Sequence, residues 1–357
     1  VQDLACSYLS DCIQTILLIS RCKLSRVPVV TAPPHYINIE DDTMKKAIVF
    51  PGQGSQTVGM GKDLASAFSV AREVFQEVDD ALAQSLSKIM FEGPETELTL
   101  TENAQPAIMA SSIALLRVME KELGFNLKNT ATFVAGHSLG EYTALCAAGS
   151  FSLSQTAKLL KLRGQAMQRA VPQGQGAMAA ILGLEMDAVE ALVKEAGEFG
   201  EVVAVANDNS PGQVVISGSA IGIEKASEIA KAKGAKRAVL LPVSAPFHCP
   251  LMQPAADEMK AALSQSVIQP PLVPLVANVT ASVVRDADTI RGLLVEQVCG
   301  RVRWRESVSY MFAQGVTELV EIGVGKVLTG LAKRIEKDMG AICIAGPADL
   351  DQLAKAA

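Results

Sequence analysis

Ser138 stands between two glycines in Gly136-His137-Ser138-Leu139-Gly140, directly after an apolar run at 132–135 and before a helical-looking stretch at 141–148. Strand, abrupt turn and helix is the context in which GxSxG holds a nucleophilic serine on a sharp bend with its hydroxyl clear of the backbone. Flanking glycines let the neighbouring chain come close. The bend also aims the Leu139 N–H and the start of the helix at an oxyanion forming beside the serine. A serine of ordinary acidity needs a base. The chain has three histidines, His35, His137 and His248. His35 falls in an N-terminal stretch of doubtful relevance. His137 adjoins the serine, and neighbours at such a bend point apart, so a structural role is expected for it. That leaves His248, in Ser244-Ala245-Pro246-Phe247-His248-Cys249-Pro250, as the expected general base. No triad acid declares itself. Asp208, Glu224 and Glu228 precede His248 and Asp257 and Glu258 follow it. A backbone carbonyl or neutral amide would orient the imidazole equally well.

The elements that must carry these groups follow from periodicity. Residues 47–50 form a short apolar run stopped by Pro51-Gly52-Gln53-Gly54, a strand feeding a tight loop. Leu64, Phe68, Ala71, Phe75, Val78 and Leu82 recur at spacings of three and four, predicting one amphipathic helix. Further strands are expected at 273–276 and 318–322. Between 171 and 245 the order strand, helix, two strands, helix, strand is that of a ferredoxin-like unit (βαββαβ). The expected fold class is α/β: a large parallel-sheet domain over 44–170 and 246–357, with a small subdomain inserted at 171–245. Residues 1–43 are expected to be an extension outside the enzyme, non-native or disordered. Their Asp3 and Asp11 fit a cleavable targeting peptide poorly.

Composition narrows the chemistry. The chain has 357 residues, 49% hydrophobic and only 4% aromatic, so the core must be built mainly from Ala, Val, Leu and Ile. A formal net charge of −6 argues against a dedicated nucleic-acid binder, whose affinity comes largely from neutralising phosphates. Seven cysteines without CxxC spacing suggest neither a zinc site nor a disulfide framework. No apolar run approaches the roughly 18 residues that span a bilayer. Gly323-Val324-Gly325-Lys326 lacks the hydroxyl residue that a phosphate loop places after its lysine.

With these residues set out, the sequence resembles the malonyl-CoA:acyl carrier protein transacylase family of fatty-acid synthesis over about 44–345. The resemblance rests on Phe50-Pro51-Gly52-Gln53-Gly54-Ser55-Gln56, on Gly136-His137-Ser138-Leu139-Gly140-Glu141-Tyr142, on Arg163, on Phe247-His248, and on Gly323-x-Gly325-Lys326-Val327-Leu328. One departure is Val324, where the family commonly has Pro. The resemblance implies an α/β-hydrolase-like core with the inserted subdomain. It also implies that malonyl-CoA is a substrate, acyl carrier protein the acceptor, and that no metal or cofactor takes part. Ser138 would be the acylated nucleophile and His248 the acid/base. The N–H groups of Gln53 and Leu139 would form the oxyanion hole, and the main-chain carbonyl of Gln297 would orient His248. Arg163 would grip the malonyl carboxylate. A cytoplasmic monomer that engages neither nucleic acid nor membrane is expected.

The arginine carries the substrate choice. Malonyl differs from acetyl by one carboxylate, which a guanidinium binds through two parallel charge-assisted hydrogen bonds. A serine hydrolase would share the elbow but have no use for Arg163; an acyl-binding module would tolerate loss of Ser138. Acyltransferase domains of polyketide synthases share these motifs, and a discrete enzyme is the expectation here. An acidic carrier protein would need a basic patch on this acidic chain. Candidates are Lys231, Lys233, Lys236 and Arg237, or Arg301, Arg303 and Arg305.

Overall fold

The computed structural model describes residues 45–350; the expectations for 1–43, His35 included, lie outside the described residues. Among the described residues, ten strands form two sheets. In chain order they are β1 (Lys45–Phe50), β2 (Ala131–Gly136), β3 (Gly176–Leu182), β4 (Val203–Ser210), β5 (Gln213–Ser219), β6 (Arg237–Leu240), β7 (Leu275–Ala277), β8 (Ser282–Val284), β9 (Val316–Ile322) and β10 (Gly340–Ile344). The helices that frame the core and the site are α1 (Lys62–Ala67), α2 (Ser69–Leu82), α3 (Thr101–Leu123), α4 (Leu139–Ala147), α5 (Leu153–Ala170) and α6 (Met186–Gly197). They continue with α7 (Ala220–Ala232), α8 (Gln253–Ser264), α9 (Ala287–Cys299), α10 (Trp304–Ala313) and α11 (Val327–Ile335).

The larger sheet runs β10-β9-β1-β2-β7-β8, parallel except for the β7–β8 hairpin. Helices cover both faces, so its strands are apolar on both sides. Ala47 and Val49 of β1 and Phe133 and Ala135 of β2 pack with Trp304, Val308 and Met311. Ile48, Phe50 and Val134 face the other way, into the core built with α2, α3, α4 and α5. The period of two along each strand produces this division.

The smaller sheet is antiparallel, in the order β4-β5-β3-β6. One face, with Ala179, Ile181, Val214 and Ile216, buries Val189 and Leu192 of α6 and Ile223 and Ala226 of α7. This is the βαββαβ order, with its two central strands, β5 and β3, flanked by the outer pair. It is tied to the larger sheet's layer by a short parallel bridge: Val302 N–H donates to Ala206 O at 2.8 Å and Asp208 N–H to Val302 O at 2.9 Å.

One expectation needs correcting. The single amphipathic helix through Leu64 and Leu82 is two, α1 and α2, because Phe68 is extended (φ −127°, ψ 129°). Both pieces still turn apolar residues toward one core, so the periodicity survives the break.

Candidate active site

Parallel pairing of β1 and β2 sets Phe50 opposite Gly136, so the loops leaving the two strands emerge side by side. The His137 N–H donates to Phe50 O at 3.1 Å and holds them together. Ser138 occupies the bend with φ 53° and ψ −107°, a left-handed backbone that a side chain adopts at a cost of about 1–3 kcal/mol. Two side chains offset that strain. Asn278 Oδ1 accepts the Ser138 N–H at 2.8 Å, and Gln297 Nε2 donates to Ser138 O at 2.9 Å. The glycines are required by contact: a Cβ on Gly136 would fall on the backbone of Gly140, and one on Gly140 would lie 2.8 Å from Pro51 O.

His248 reaches this serine from a segment 110 residues further along the chain. Its Nε2 lies 2.8 Å from Ser138 Oγ, and its Nδ1 lies 2.9 Å from Gln297 O and 3.1 Å from Gly300 O. Two backbone carbonyls therefore hold the proton on Nδ1 and leave Nε2 as an acceptor facing the hydroxyl. Of the carboxylates weighed from the sequence, Asp208 pairs with Arg305, Glu258 pairs with Arg169, and Asp257 accepts from Gln253. Burial drives the His248 pKa down to about 3, and the nearby Arg163 charge adds to the depression. The imidazole is neutral at pH 7, with Nε2 unprotonated toward the serine hydroxyl.

Arg163, on α5, is 1% exposed and points at the same serine. Its Nη2 is 3.1 Å from Ser138 Oγ and 2.9 Å from Gln297 Oε1; its Nη1 donates to Gln105 Oε1 at 2.8 Å. Its Nε has no partner among the described residues, and no carboxylate touches the guanidinium. The Tyr142 ring lies 5.7 Å from its Cζ. Burial disfavours the charge, while Tyr142 and Glu141 favour it.

A cavity of about 620 Å³ opens over these groups, and its lining includes Gln53, Leu139, Gln105, Met178, Leu241 and Phe247. Among the described residues, neither the Gln53 N–H nor the Leu139 N–H has an internal acceptor. His137 is half-buried, with Nε2 2.9 Å from Asn209 Oδ1 and its ring against Trp304. Sequence reasoning passed over Asn278, Gln105 and Glu141. Glu141 stood inside the quoted motif; Asn278 followed a predicted strand, and nothing local marked either amide.

Residues 47–347 match the family described as acyl transferase domain. The chain is 47% identical to the malonyl CoA-acyl carrier protein transacylase of Bacillus subtilis strain 168, over 86% of this chain and 95% of that protein. It is 46% identical to the transacylase of the same name from Escherichia coli K12, over 84% and 96% respectively. The chain belongs to the malonyl-CoA:acyl carrier protein transacylase family. The solved acyl-carrier-protein S-malonyltransferase of Bartonella henselae is similar at 56% identity and TM-score 0.85, covering 88% of this chain and 99% of that one. A malonyl-transacylase solved with its type II PKS acyl-carrier protein is 44% identical with TM-score 0.84, covering 88% and 100%. The resemblance drawn from the motifs, and the α/β class with its separate antiparallel sheet, agree with these relatives.

Proposed function

We propose that the protein moves the malonyl group of malonyl-CoA onto the phosphopantetheine thiol of acyl carrier protein through a malonyl ester on Ser138, supplying extender units for fatty-acid synthesis. The observation that carries this reading is the buried Arg163, 3.1 Å from the serine and bonded only to neutral groups. A cation so placed beside a nucleophile suits an acyl group that ends in a carboxylate.

Nε2 of His248 takes the Ser138 proton as Oγ attacks the thioester carbonyl. The N–H groups of Gln53 and Leu139 receive the oxyanion, and the C–S bond breaks as the imidazolium returns its proton to the CoA sulfur. The carrier thiol then loses its proton to His248 and attacks the malonyl-serine ester, regenerating the hydroxyl. Malonyl-CoA is a substrate here and not a cofactor, and among the described residues no cluster of three or more His, Cys, Asp or Glu is arranged to hold a metal. The same reading has the enzyme working as a cytoplasmic monomer; among the described residues no helix is long and apolar enough to cross a membrane.

For carrier docking, Arg301, Arg303 and Arg305 are each engaged by a carboxylate, from Glu190, Glu306 and Asp208. Lys231, Lys236 and Arg237 beside β6 have no ion pair among the described residues, and they suit an acidic partner better.

Mixing the enzyme with malonyl-CoA and measuring intact mass tests the cycle. One malonyl adduct per chain with a matching burst of CoA is expected, and adduct surviving Ser138→Ala would refute the ester. Arg163→Ala should cost malonyl transfer about 2–5 kcal/mol, as for truncating one side of a buried charge pair. Relative use of acetyl-CoA should rise; an unchanged preference would remove the arginine from the site.

A further inference from the structure

Behind the elbow sits a carboxylate that the transfer cycle does not use. Glu141, in the first turn of α4, is 1% exposed and makes no ion pair among the described residues. Its Oε2 accepts from Gln297 Nε2 at 2.6 Å and from the Asn278 N–H at 3.3 Å. Gln297 Nε2 gives its other proton to Ser138 O. Both protons of that amide are therefore spent on acceptors, and Oε1 is left facing Arg163 Nη2. Turned over, the same amide would set N–H against guanidinium N–H and oxygen against carboxylate, donor on donor and acceptor on acceptor. Two fixed acceptors at one end are what exclude the flip.

We infer that Glu141 is a positioning residue for substrate choice: its carboxylate locks the Gln297 side chain in the one orientation whose oxygen anchors the Arg163 guanidinium beside Ser138. The inference rests on the reading of Arg163 as the group that takes the acyl carboxylate.

The indirect arrangement has a physical reason. A glutamate in direct contact with Arg163 would fill the bidentate face of the fork and neutralise it, leaving an incoming carboxylate nothing to bind. One amide further back, the carboxylate still steadies the buried positive charge across Gln297 but leaves every contact of the fork neutral. Gln105 Oε1, Gln297 Oε1 and Ser138 Oγ hold the guanidinium in place without competing in charge with a substrate. Burial raises the Glu141 carboxyl to about 7, opposed by the Gln297 and Asn278 donors and by the Arg163 charge. The same Gln297 presents its main-chain carbonyl to His248 Nδ1. One residue thus orients the base with its backbone and the selector with its side chain, and Glu141 fixes the second without touching the first.

The experiment compares kcat/KM for malonyl-CoA and acetyl-CoA in the wild type, Glu141→Ala, Glu141→Gln and Arg163→Ala. In Glu141→Ala the malonyl-over-acetyl ratio should fall about tenfold or more, the scale of a lost hydrogen bond to a charged group. Glu141→Gln retains an acceptor oxygen for Gln297 and should restore the ratio to within about threefold of wild type. General damage to the fold would slow both donors alike and leave the ratio in place. A wild-type ratio in Glu141→Ala, or no rescue by Glu141→Gln, overturns the inference. Arg163→Ala separates the two layers. Preference lost there but kept in Glu141→Ala sinks only the role of Glu141, whereas preference kept in Arg163→Ala sinks the arginine reading and this inference with it. If Glu141→Ala does not fold, Gln297→Leu removes the amide through which Glu141 acts, together with its own bonds to Arg163 and Ser138 O. An equal fall in the ratio is then expected, and an unchanged ratio overturns the inference.

Discussion

Two strand–loop–helix units of the larger sheet solve the same problem in opposite ways. β2 runs through Ser138 into α4, and β9 runs through Gly323 and Gly325 into α11. Each helix begins with backbone N–H groups that have no carbonyl to receive them. At α11 a buried carboxylate fills the need. Glu321 accepts from the Leu328 N–H at 3.2 Å, the Thr329 N–H at 2.8 Å and the Thr329 hydroxyl at 2.7 Å. At α4 the Gly140 and Glu141 N–H groups fold back on His137 O and Ser138 O, at 2.9 and 3.1 Å. Among the described residues the Leu139 N–H has no acceptor, which suits the proposed oxyanion hole. The buried glutamate is present there too, but it sits behind the bend and holds amides in place. A self-satisfied turn confers stability; a turn with one N–H left open can confer catalysis.

The contrast breaks first at the hydroxyl. Ser138→Ala keeps the bend and the open N–H but removes the proposed nucleophile, and transfer should fall at least on the order of a thousandfold. Steady-state transfer to carrier protein measures it. A variant retaining a tenth of the activity would mean that the bend is a structural turn like that of α11.

The second break is steric. Gly140→Ala would press a methyl group against Phe50 and Pro51 backbone atoms, which cannot move without parting β1 from β2. A loss on the order of 3 kcal/mol or more is expected, read from the denaturant midpoint. Unchanged stability would show that the two loops are not in contact.

How far the sequence reveals this depends on the kind of information each group needs. The β2–Ser138–α4 unit is local, since a strand, a GxSxG turn and a helix are all written within one short stretch. His248 came by elimination, because only three histidines exist. Orientation of that imidazole was legible only through the family resemblance, which named Gln297 but not Gly300. It depends on Gln297 O and Gly300 O, and backbone carbonyls leave no signature in side-chain types. The same holds for Asn278, whose role is fixed by where the short β7 ends. The split at Phe68 was invisible for a different reason: a helix broken in phase keeps its apolar spacing.

The buried glutamate at α4 sharpens the comparison through pH. His137 and His248 are both held neutral by burial, with folded pKa values below the ordinary 6.5. The unfolded chain then binds more protons, so stability is lost as pH falls below about 6.5. Glu141 has the opposite sign. Its folded pKa is raised from 4.5 to about 7, so its contribution declines as pH rises through that window. The two trends oppose each other between about pH 5 and 6.5. Glu141→Gln removes one of them, and unfolding free energy should then fall more steeply from pH 7 to pH 5 than in the wild type. Parallel profiles would mean that Glu141 is ionised throughout.

At α11, Glu321→Ala strips three donors of their acceptor. A loss of about 1–3 kcal/mol is expected from unsatisfied buried N–H groups. The malonyl-over-acetyl ratio should not change, because Glu321 contacts none of Ser138, His248 or Arg163. A shifted ratio would mean that the two turns are coupled through β1, which separates β9 from β2.

The smallest effect contrasts two glycines, each in the opening turns of its helix. Gly140 has no room for a methyl group, whereas Gly330 of α11 is exposed and has nothing within 4 Å of a built Cβ. Its backbone is helical, so alanine fits without strain and restricts the unfolded chain. Gly330→Ala should therefore raise stability by about 0.5–1 kcal/mol, the usual difference between the two residues within a helix. Thermal and denaturant midpoints read it directly. If the substitution destabilised the protein, α11 would be packed against something outside residues 45–350, and the openness that distinguishes its turn from the crowded one at Ser138 would be lost.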